Sequence, residues 1–383
     1  FLIFGGALGT FGLSMSAGIA QAVSANASVW DGTYATSQTV NSSDIDILAF
    51  TIDGAETSLT SSSVVTYRIY TAKGFSYFAN EMNNGLTFAN KTIVLECDID
   101  LNRHAWIPMG GSTAYFAGTF DGNSKTIYNL VNDEEYASFG LFREVRGTVK
   151  NLNVISADIS FSNTFSTDHY VGAIAGTLVG GTILNSTVRG EISSSATATT
   201  SYVGGLVGYA RGNGINEFDA TRPATLIGCA NYASVSGISS VGGLVGRTSR
   251  HVEIKASFNL GEISNILNSS TSNISVGGLV GSESGMVVTS TEQYLRVENS
   301  FNNGDIVLNA GTNNITAKAG GLLGSAEDFG TGSSLGNYFK FSRVYNAGDF
   351  SVLAYSCATT RTVYVGGHVG YAVQPRRGFS VGF

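Results

Sequence analysis

Few residues of this chain have the types and spacing that catalysis or metal binding requires. None of the histidines lies in a His-Glu-x-x-His pattern, which places two imidazoles around zinc on one helix face; they are His104, His169, His251 and His368. The cysteines are far apart and include no Cys-x-x-Cys pair; they are Cys97, Cys229 and Cys357. The sequence therefore predicts neither a metal site nor a disulfide framework, and the cysteines are expected to be small buried apolar residues.

Two small groups near residue 100 are open to a chemical interpretation. Asp98 and Asp100 are two apart, so on a strand they share one face, and paired carboxylates can hydrolyse glycosides. His104 beside Trp106 suggests a sugar-binding patch. A solvated strand face around Ile99 and ordinary packing of His104 explain the same residues, and we favour these interpretations because no further acids or bases converge there.

The charge balance argues against a nucleic-acid partner. The formal net charge is −7, whereas phosphate binding needs a basic patch. Gly204-Gly205 lacks the following Lys-Ser/Thr of a phosphate-binding loop, so no cofactor is predicted. The acids Glu191, Glu262, Asp305 and Asp349 recur at equivalent corners of successive repeats. Such recurrence indicates a structural or a calcium-tolerant surface and not a single active centre.

A six-residue glycine motif organises the chain. It reads Val-Gly-Gly-Leu-Val-Gly at 203–208, 241–246 and 276–281, with weaker copies at 171–176, 319–324 and 365–370. A motif that recurs every 30–45 residues or so is typical of a repeat architecture. The glycines predicted to hold structural positions are Gly172, Gly204, Gly205, Gly242, Gly243, Gly277, Gly278, Gly320, Gly321, Gly366 and Gly367.

Each glycine motif predicts a strand, and an asparagine-containing segment follows it. Val and Leu alternate with Gly over a run too short and too rich in glycine for a helix, where each glycine costs roughly 1 kcal/mol. Asn and Gly tolerate positive φ and suit sharp corners. The side-chain amides at the equivalent position of successive repeats are expected to hydrogen-bond to one another along the stack; they belong to Asn259, Asn302 and Asn346.

One repeat cannot bury its own apolar face, so the copies must stack. The sequence predicts an all-β parallel β-helix with one short helix over 71–84. Thr71 is its expected N-cap, and Phe75, Phe78, Ala79 and Met82 form its apolar face. This helix is expected to cover the open end of the coil, which would otherwise be an unpaired edge.

The predicted domain order starts with an export segment. Residues 1–25 carry no charged side chain and end in small residues, as a secretory signal does when its start is missing; a membrane anchor is the alternative. The order continues with an N-terminal β segment (26–70), the capping helix (71–84), lead-in rungs (85–170), the repeat β-helix (171–373) and a truncated tail (374–383).

The glycine motif and its Asn-Ser-x-x-x-Gly-x-Ile continuation resemble the GLUG motif repeats of bacterial cell-surface proteins. Trp106–Gly110 and Phe116–Leu130 are similar to the stretch that precedes such repeats. The resemblance covers residues 66–372 and implies a right-handed parallel β-helix on an exported protein. Some relatives are adhesin-like, and others are attached to metallopeptidases that cleave immunoglobulin A. Long loops at 218–223 and 286–296, and His368 in place of Leu, depart from the family pattern.

The expected function is that of an extracellular or cell-surface solenoid, structural or adhesive and not enzymatic. Its partner would be an extracellular protein or a glycan that binds the variable loops 210–224 and 283–296, because loops on a rigid scaffold carry recognition. Four tyrosines offer contact area, although ordinary packing explains them equally well: Tyr209, Tyr232, Tyr294 and Tyr345. The alternatives are a carbohydrate-active β-helix enzyme and the non-catalytic arm of a larger surface peptidase.

Overall fold

The structure is a computed structural model of the 383-residue chain. It describes residues 26–50, 64–111, 113–132, 136–198, 200–213, 222–267, 273–284, 293–311, 316–327, 337–354, 362–372 and 379–382. The predicted export segment 1–25 lies outside the described residues, as do Cys357 and most of the predicted tail.

From residue 138 onward, the described strands wind through four sheets, named A to D here, in the same order in each complete turn. One complete turn runs from Thr182–Leu184 in sheet B through Thr187–Ser194 in sheet A, Ser201–Gly204 in sheet D and Val207–Arg211 in sheet C. It returns to sheet B at Ala224–Ile227. Each strand pairs in parallel with the strand of the next turn directly above it. This is the parallel β-helix that the sequence predicts.

The strands fall into the four sheets as follows. Sheet A contains Ser28–Val29, Ile99–Asp100, Ala105–Trp106, Thr126–Tyr128, Val131–Asn132, Asn153–Phe161, Thr187–Ser194, Ala230–Asn231, Ser234–Gly237, Phe258–Asn259, Ile263–Asn265, Phe301–Asn302, Ile306–Gly311, Tyr345–Asn346 and Phe350–Ala354. Sheet B contains Ile45–Phe50, Val64–Ile69, Lys91–Leu95, Thr119–Asp121, Thr148–Lys150, Thr182–Leu184, Ala224–Ile227, Val252–Lys255, Gln293–Glu298, Asn337–Ser342 and Phe379–Gly382. Sheet C contains Phe142–Val145, Ala175–Val179, Val207–Arg211, Val245–Ser249, Val280–Ser284, Leu323–Glu327 and Val369–Ala372. Sheet D contains Ser138–Phe139, His169–Val171, Ser201–Gly204, Ser240–Gly242, Asn273–Gly277, Thr316–Gly320 and Thr362–Gly366.

One repeat of the sequence makes one rung of the coil. Val203 pairs with Val241, and Val241 pairs with Val276, so equivalent residues of successive glycine motifs lie one above another. Within the described part of the chain, sheets C and D each contain seven strands. At about 4.8 Å per rung, the coil therefore rises about 30 Å along these two sheets.

The interior consists of columns of apolar side chains, one residue from each rung. The column on sheet B is at most 1% exposed at every position; its members are Phe120, Val149, Ile183, Leu226, Ile254, Val297 and Phe341. Each residue covers its counterpart in the next rung, so the apolar surface that one repeat cannot bury alone is buried by stacking.

The glycine motif is not a single strand, and this part of the prediction is wrong. Its first two residues end a strand of sheet D, the next two form a bend, and its last two begin a strand of sheet C; in one copy these strands are Ser201–Gly204 and Val207–Arg211. The motif therefore turns the coil from one wall to the next. The backbone packs too closely at this corner to admit a β-carbon, and for that reason glycine occupies it.

The helix spans Ala72–Asn83 and closes the N-terminal end of the coil. The Thr71 side chain accepts a hydrogen bond from the Gly74 N–H at 3.1 Å, as an N-cap does. Phe75 stacks on Trp106 with ring centroids 5.4 Å apart, and Phe78 stacks on Phe120 at 5.9 Å. All four rings are at most 1% exposed, so the helix fills the space where the interior would otherwise meet water.

Sheet B departs from the regular pattern at both ends. Ile45–Phe50 and Val64–Ile69 pair antiparallel, and Val64–Ile69 then pairs in parallel with Lys91–Leu95. At the other end, Phe379–Gly382 adds to Asn337–Ser342. The sheet thus extends beyond residue 373, into the part of the chain where the sequence predicts only a tail.

Candidate functional site

An asparagine ladder runs inside sheet A through four rungs. Nδ2 of Asn231 donates to Oδ1 of Asn259, Asn259 donates to Asn302 and Asn302 donates to Asn346, each at 2.7 Å. Asn231, Asn259 and Asn302 are fully buried. In the two preceding rungs the same position holds valine, Val154 and Val188.

Each ladder amide also closes a bend in its own rung. Asn302 donates to the Gly304 carbonyl at 2.7 Å and accepts from the Gly304 N–H at 3.2 Å. Its two Nδ2 hydrogens and both acceptor positions of Oδ1 are therefore used. A buried amide with all of its hydrogen bonds satisfied stabilises one register of the stack and carries no spare group for chemistry.

The second glycine of each motif packs against the ladder amide of the following rung. A β-carbon on Gly205 would lie 2.5 Å from Cγ of Asn231, and one on Gly321 would lie 2.6 Å from Cγ of Asn346. The same contact joins the two intervening pairs, Gly243 with Asn259 and Gly278 with Asn302. Gly367 lies on the last rung and has no atom within 4 Å of its would-be β-carbon.

The first glycine of each motif faces the main chain of its own corner. A β-carbon there would overlap the carbonyl oxygen of the residue three positions on in every copy from the second onward; the glycines are Gly204, Gly242, Gly277, Gly320 and Gly366. In the first copy, a β-carbon on Gly172 would lie 2.5 Å from Cα of Val207 in the next rung. These positions shape the coil and offer no binding group.

A left-handed residue forms the corner between sheets B and A in seven successive rungs of the described structure, beginning at Asn123. The positions have φ between 47° and 64°, and only one of them is a glycine: Asn123, Asn151, Asn185, Gly228, Ala256, Asn299 and Arg343. A serine often follows, as at Ser257 and Ser300, where the Ser257 N–H donates to Oγ of Ser300 at 3.1 Å. The sequence reasoning missed this corner because neither Ala nor Arg favours positive φ.

The acidic pair near residue 100 is used in the structure of the coil. Oδ1 of Asp98 accepts from the Thr126 N–H at 2.9 Å. Oδ1 of Asp100 accepts from the Asn102 N–H and from Nδ2 of Asn129, both at 2.7 Å. The bonds from Thr126 and Asn129 tie neighbouring rungs together, and the bond from Asn102 closes a local turn. These bonds support the structural interpretation of the pair over the glycosidase interpretation.

Trp106 is fully buried, so it cannot form a sugar-binding patch with His104. His104 instead lies edge-on to Trp30, with ring centroids 5.8 Å apart. The other histidines are scattered. His251 lies 3.7 Å from the Glu253 carboxylate, and His368 lies on the last rung, where its carbonyl accepts from Leu322 at 2.9 Å.

His169, Cys229 and Glu283 are titratable residues enclosed by the coil. Burial lowers the pKa of His169 to about 4; its Nδ1 donates to the Ala137 carbonyl, and its Nε2 has no hydrogen-bond partner among the residues that the structure describes. Burial also raises the pKa of the Cys229 thiol to about 12, which makes it inert. Burial raises the pKa of Glu283 to about 8 although Thr248 donates to the carboxylate.

The recurring acids form an exposed row along sheet A. The strand registers place Asp158, Glu191, Ser234, Glu262, Asp305 and Asp349 in consecutive rungs. Oδ1 of Asp305 accepts from the Asp349 N–H at 3.0 Å. Across the residues that the structure describes, no three His, Cys, Asp or Glu side chains lie close enough together to hold a metal ion.

The variable loops fall partly outside the described residues, which stop at 213 and resume at 222, and stop at 284 and resume at 293. Nothing is described of the Tyr294 side chain. Tyr209 stacks with Tyr170 and Tyr202, Tyr232 lies under the Arg189 guanidinium, and Tyr345 stacks on Phe301. These tyrosines contact their neighbours along the rungs.

A groove of about 900 Å³ lies beside the helix at the N-terminal end. Sheets A and B begin several rungs earlier than sheets C and D, whose first strands are Phe142–Val145 and Ser138–Phe139. The helix and the segment around Tyr34 fill part of this step. The remainder is the groove, lined on one side by Asn80 and Asn83 of the helix and on the other by Arg143, Asp168 and Tyr170.

The fold and these sites define a repeat protein with a parallel β-helical body, an internally satisfied ladder and a polar groove at its N-terminal end. No helix among the described residues is long and apolar enough to cross a membrane. No protein-family model matches the chain, so the resemblance to GLUG motif repeats remains a prediction.

Two comparisons with known proteins find similarities. A crystal structure of a candidate immunoglobulin A1 protease from Bacteroides ovatus matches 82% of this chain and 85% of its own, with a TM-score of 0.55 and 18% identity. This likeness supports the fold. Halomucin of Haloquadratum walsbyi is 36% identical over 103 residues, which are 26% of this chain and 1% of halomucin. The matched stretch is therefore a very small part of that protein.

Proposed function

We propose that this protein is an exported, surface-associated β-helix that acts as a structural or adhesive element outside the cell. The observation that carries the proposal is the continuous stack of rungs, held by side-chain ladders and joined by connections of irregular length. Such a body is stiff because each rung is fixed by its neighbours, and it presents different connecting segments at different heights.

Two further observations support an extracellular location. Charged residues make up only 13% of the chain, so much of the exterior consists of Ser, Thr, Asn and Gly side chains. The similarity to a stretch of halomucin agrees with a place on the surface. The partner would be an extracellular protein or a glycan.

The location is tested by expressing the complete gene in its own host and treating intact cells with a protease. We expect cleavage of this protein on intact cells, while a cytoplasmic marker stays uncut. Protection of the protein until the cells are lysed would contradict a surface location.

The adhesive role is tested by coating beads with the purified protein and scoring their attachment to surfaces that carry mucin, matrix proteins or polysaccharides. Attachment to at least one surface, abolished by soluble protein in excess, is the expected result. Beads that behave like albumin-coated beads on every surface would contradict adhesion and leave a purely structural role.

The second candidate is the non-catalytic arm of a larger surface peptidase. The Bacteroides ovatus structure, which shares the fold over most of its length, favours this candidate. The reading frame that contains this chain tests it, because a His-Glu-x-x-His motif in the same frame is then expected. A role as a carbohydrate-cleaving enzyme is a separate hypothesis. It predicts that the protein releases reducing ends from polysaccharides, whereas a non-enzymatic role predicts no release.

A further inference from the structure

We propose that the groove between the helix and the first strands of sheets C and D binds a neutral oligosaccharide. This inference rests on the proposed extracellular function and names the class of ligand and the place where it binds. The groove differs from the variable loops because all of its lining residues are described, and they come from the helix, from sheets C and D and from the short segments beside them.

The polar lining of the groove offers both donors and acceptors to a sugar. Oδ1 of Asn83 accepts from the Gly110 N–H at 2.9 Å, which fixes the amide and leaves its Nδ2 hydrogens without a partner among the described residues. Nδ2 of Asn80 donates to the Ala35 carbonyl at 3.2 Å, and its Oδ1 is likewise unpaired in the described structure. Sugar hydroxyls donate and accept at once and suit such groups.

An aromatic platform lies at the opposite wall. Tyr170 stacks on Tyr202 and Tyr209, with ring centroids 5.5 Å away in both cases. Its hydroxyl donates to Oδ2 of Asp168 at 3.2 Å, so the ring and the carboxylate are held in one orientation. An aromatic side chain with an apolar body and a fixed polar partner is the kind of surface on which a pyranose ring packs its C–H face.

The charges favour a neutral ligand. Arg143 donates through Nε and Nη2 to the Ala114 carbonyl, and its Nη1 lies 3.8 Å from Glu144. The Glu144 carboxylate thus partly balances the positive charge of Arg143, and Asp168 supplies a further negative charge in the groove. A polyanion would meet no net positive field in the groove.

A peptide strand is a poorer fit. The exposed edge of sheet D at this point is Ser138–Phe139, a strand of two residues. Addition of a peptide strand to a sheet depends on a row of main-chain hydrogen bonds, and typical strands have about five residues or more. The volume of the groove, about 900 Å³, instead lies within the usual range of small-ligand sites.

The test measures the binding of three neutral trisaccharides, maltotriose, mannotriose and N-acetylchitotriose, to the complete chain by isothermal titration calorimetry. We expect at least one of them to bind. Asp168→Ala and Tyr170→Ala should each weaken binding by about tenfold or more, which corresponds to about 1.4 kcal/mol. The matched controls Asp349→Ala and Tyr345→Ala remove the same types of side chain from exposed positions near the C-terminal end of the coil, far from the groove, and should bind like the wild type.

Two results would overturn the inference: no heat from any trisaccharide at about 10 mM, a concentration well above typical weak dissociation constants, or equal binding by the groove variants and the controls. Circular dichroism of each variant shows that it is folded before binding is measured. The bead assay is run separately on the wild type, so adhesion without trisaccharide binding would refute the groove and leave the surface function standing.

Discussion

At the scale of the residue, Asn302 shows how a polar side chain stabilises an apolar coil. Its amide makes four hydrogen bonds, two within its own bend and one to each neighbouring asparagine. Unpaired polar groups in such a place would each cost about 1–3 kcal/mol. The ladder therefore favours this register over one shifted by a residue, in which the amides would face outward.

Replacement of Asn302 by alanine should destabilise the protein strongly. The change removes one of the two hydrogen bonds that Nδ2 of Asn259 donates, and it removes the partners of Oδ1 of Asn346 and of both main-chain groups of Gly304. We expect a loss of roughly 3 kcal/mol or more, measured as a shift of the urea midpoint by circular dichroism. Asn303→Ala is the matched control because this neighbour is exposed, and it should change the midpoint little. An equal shift for the two variants would contradict the ladder's role.

Glu283 is another buried polar residue, and its ionised form destabilises the folded protein. Its column in sheet C includes Thr248 and Ala326, and the side chain is 4% exposed. Burial raises the pKa of its carboxyl from the usual 4.5 to about 8. The folded protein keeps the proton up to about pH 8, whereas the unfolded chain loses it near pH 4.5. Folding of the ionised form is therefore opposed.

The stability contributed by the protonated carboxyl is fully present below pH 4.5 and is lost as the pH rises from 4.5 to about 8. We expect the free energy of unfolding to fall by a few kcal/mol across this window. Glu283→Gln should flatten the profile, and the exposed control Glu262→Gln should retain it. Thermal melts between pH 5 and pH 9 measure the effect. A Glu283→Gln profile as steep as that of the wild type would contradict this assignment.

The inward column of asparagines could be predicted from the sequence because the residues recur at one position of each repeat. Their contact with the second glycine of the motif could not, since Gly205 and Asn231 lie in different rungs. The burial of Glu283 was also beyond prediction. Its column holds Ala, Thr and Glu in successive rungs, and such a mixture has no periodicity to reveal an inward face.

At the scale of the element, the glycine motif is a corner between two sheets. Glycine is needed there because the corner's own main chain approaches the first glycine and the following rung approaches the second. Leu and Val of the motif lie inside the coil. A single strand was predicted from the alternation of Val and Gly. That pattern fits a strand and a tight bend equally well, and only the position of the next rung decides between them.

Substitutions at the corner show whether close packing or conformational freedom makes glycine necessary there. Gly278→Ala places a β-carbon against the Gly321 carbonyl and Cγ of Asn302, and we expect destabilisation of about 3 kcal/mol or more. Gly367→Ala occupies the same position of a later repeat, where no atom lies within 4 Å. It should be nearly neutral. Urea unfolding of both variants makes the comparison, and similar losses would show that conformational freedom, not close packing, selects glycine.

The helix could be predicted almost in full, because its signals are local. Thr71 caps its first turn and Gly85 adopts a φ of +103° just after its end. The strands of sheet A could be predicted less well. Their bends depend on the left-handed corners, and at Ala256 and Arg343 the residue type conceals the conformation.

At the scale of the whole molecule, the main feature that the sequence did not predict is the step that arises because sheets A and B begin several rungs before sheets C and D. Each strand can be assigned to a rung from its repeat, but the lead-in rungs carry no glycine motif. The sequence therefore does not show how many sheets the lead-in rungs contribute to. The groove lies at this step, and its lining residues, such as Asn80 and Asp168, come from distant parts of the chain.

The central claim is that each repeat makes one rung of a single coil. Pulsed electron–electron double resonance measures it directly, with spin labels on Asp349 and on one of Ser234, Glu191 or Asp158, after the native cysteines are replaced by serine. The strand registers place these partners three, four and five rungs from Asp349. We predict mean distances of about 14, 19 and 24 Å, with a step of about 5 Å per rung. Distances that fail to rise in equal steps along this series would contradict the account.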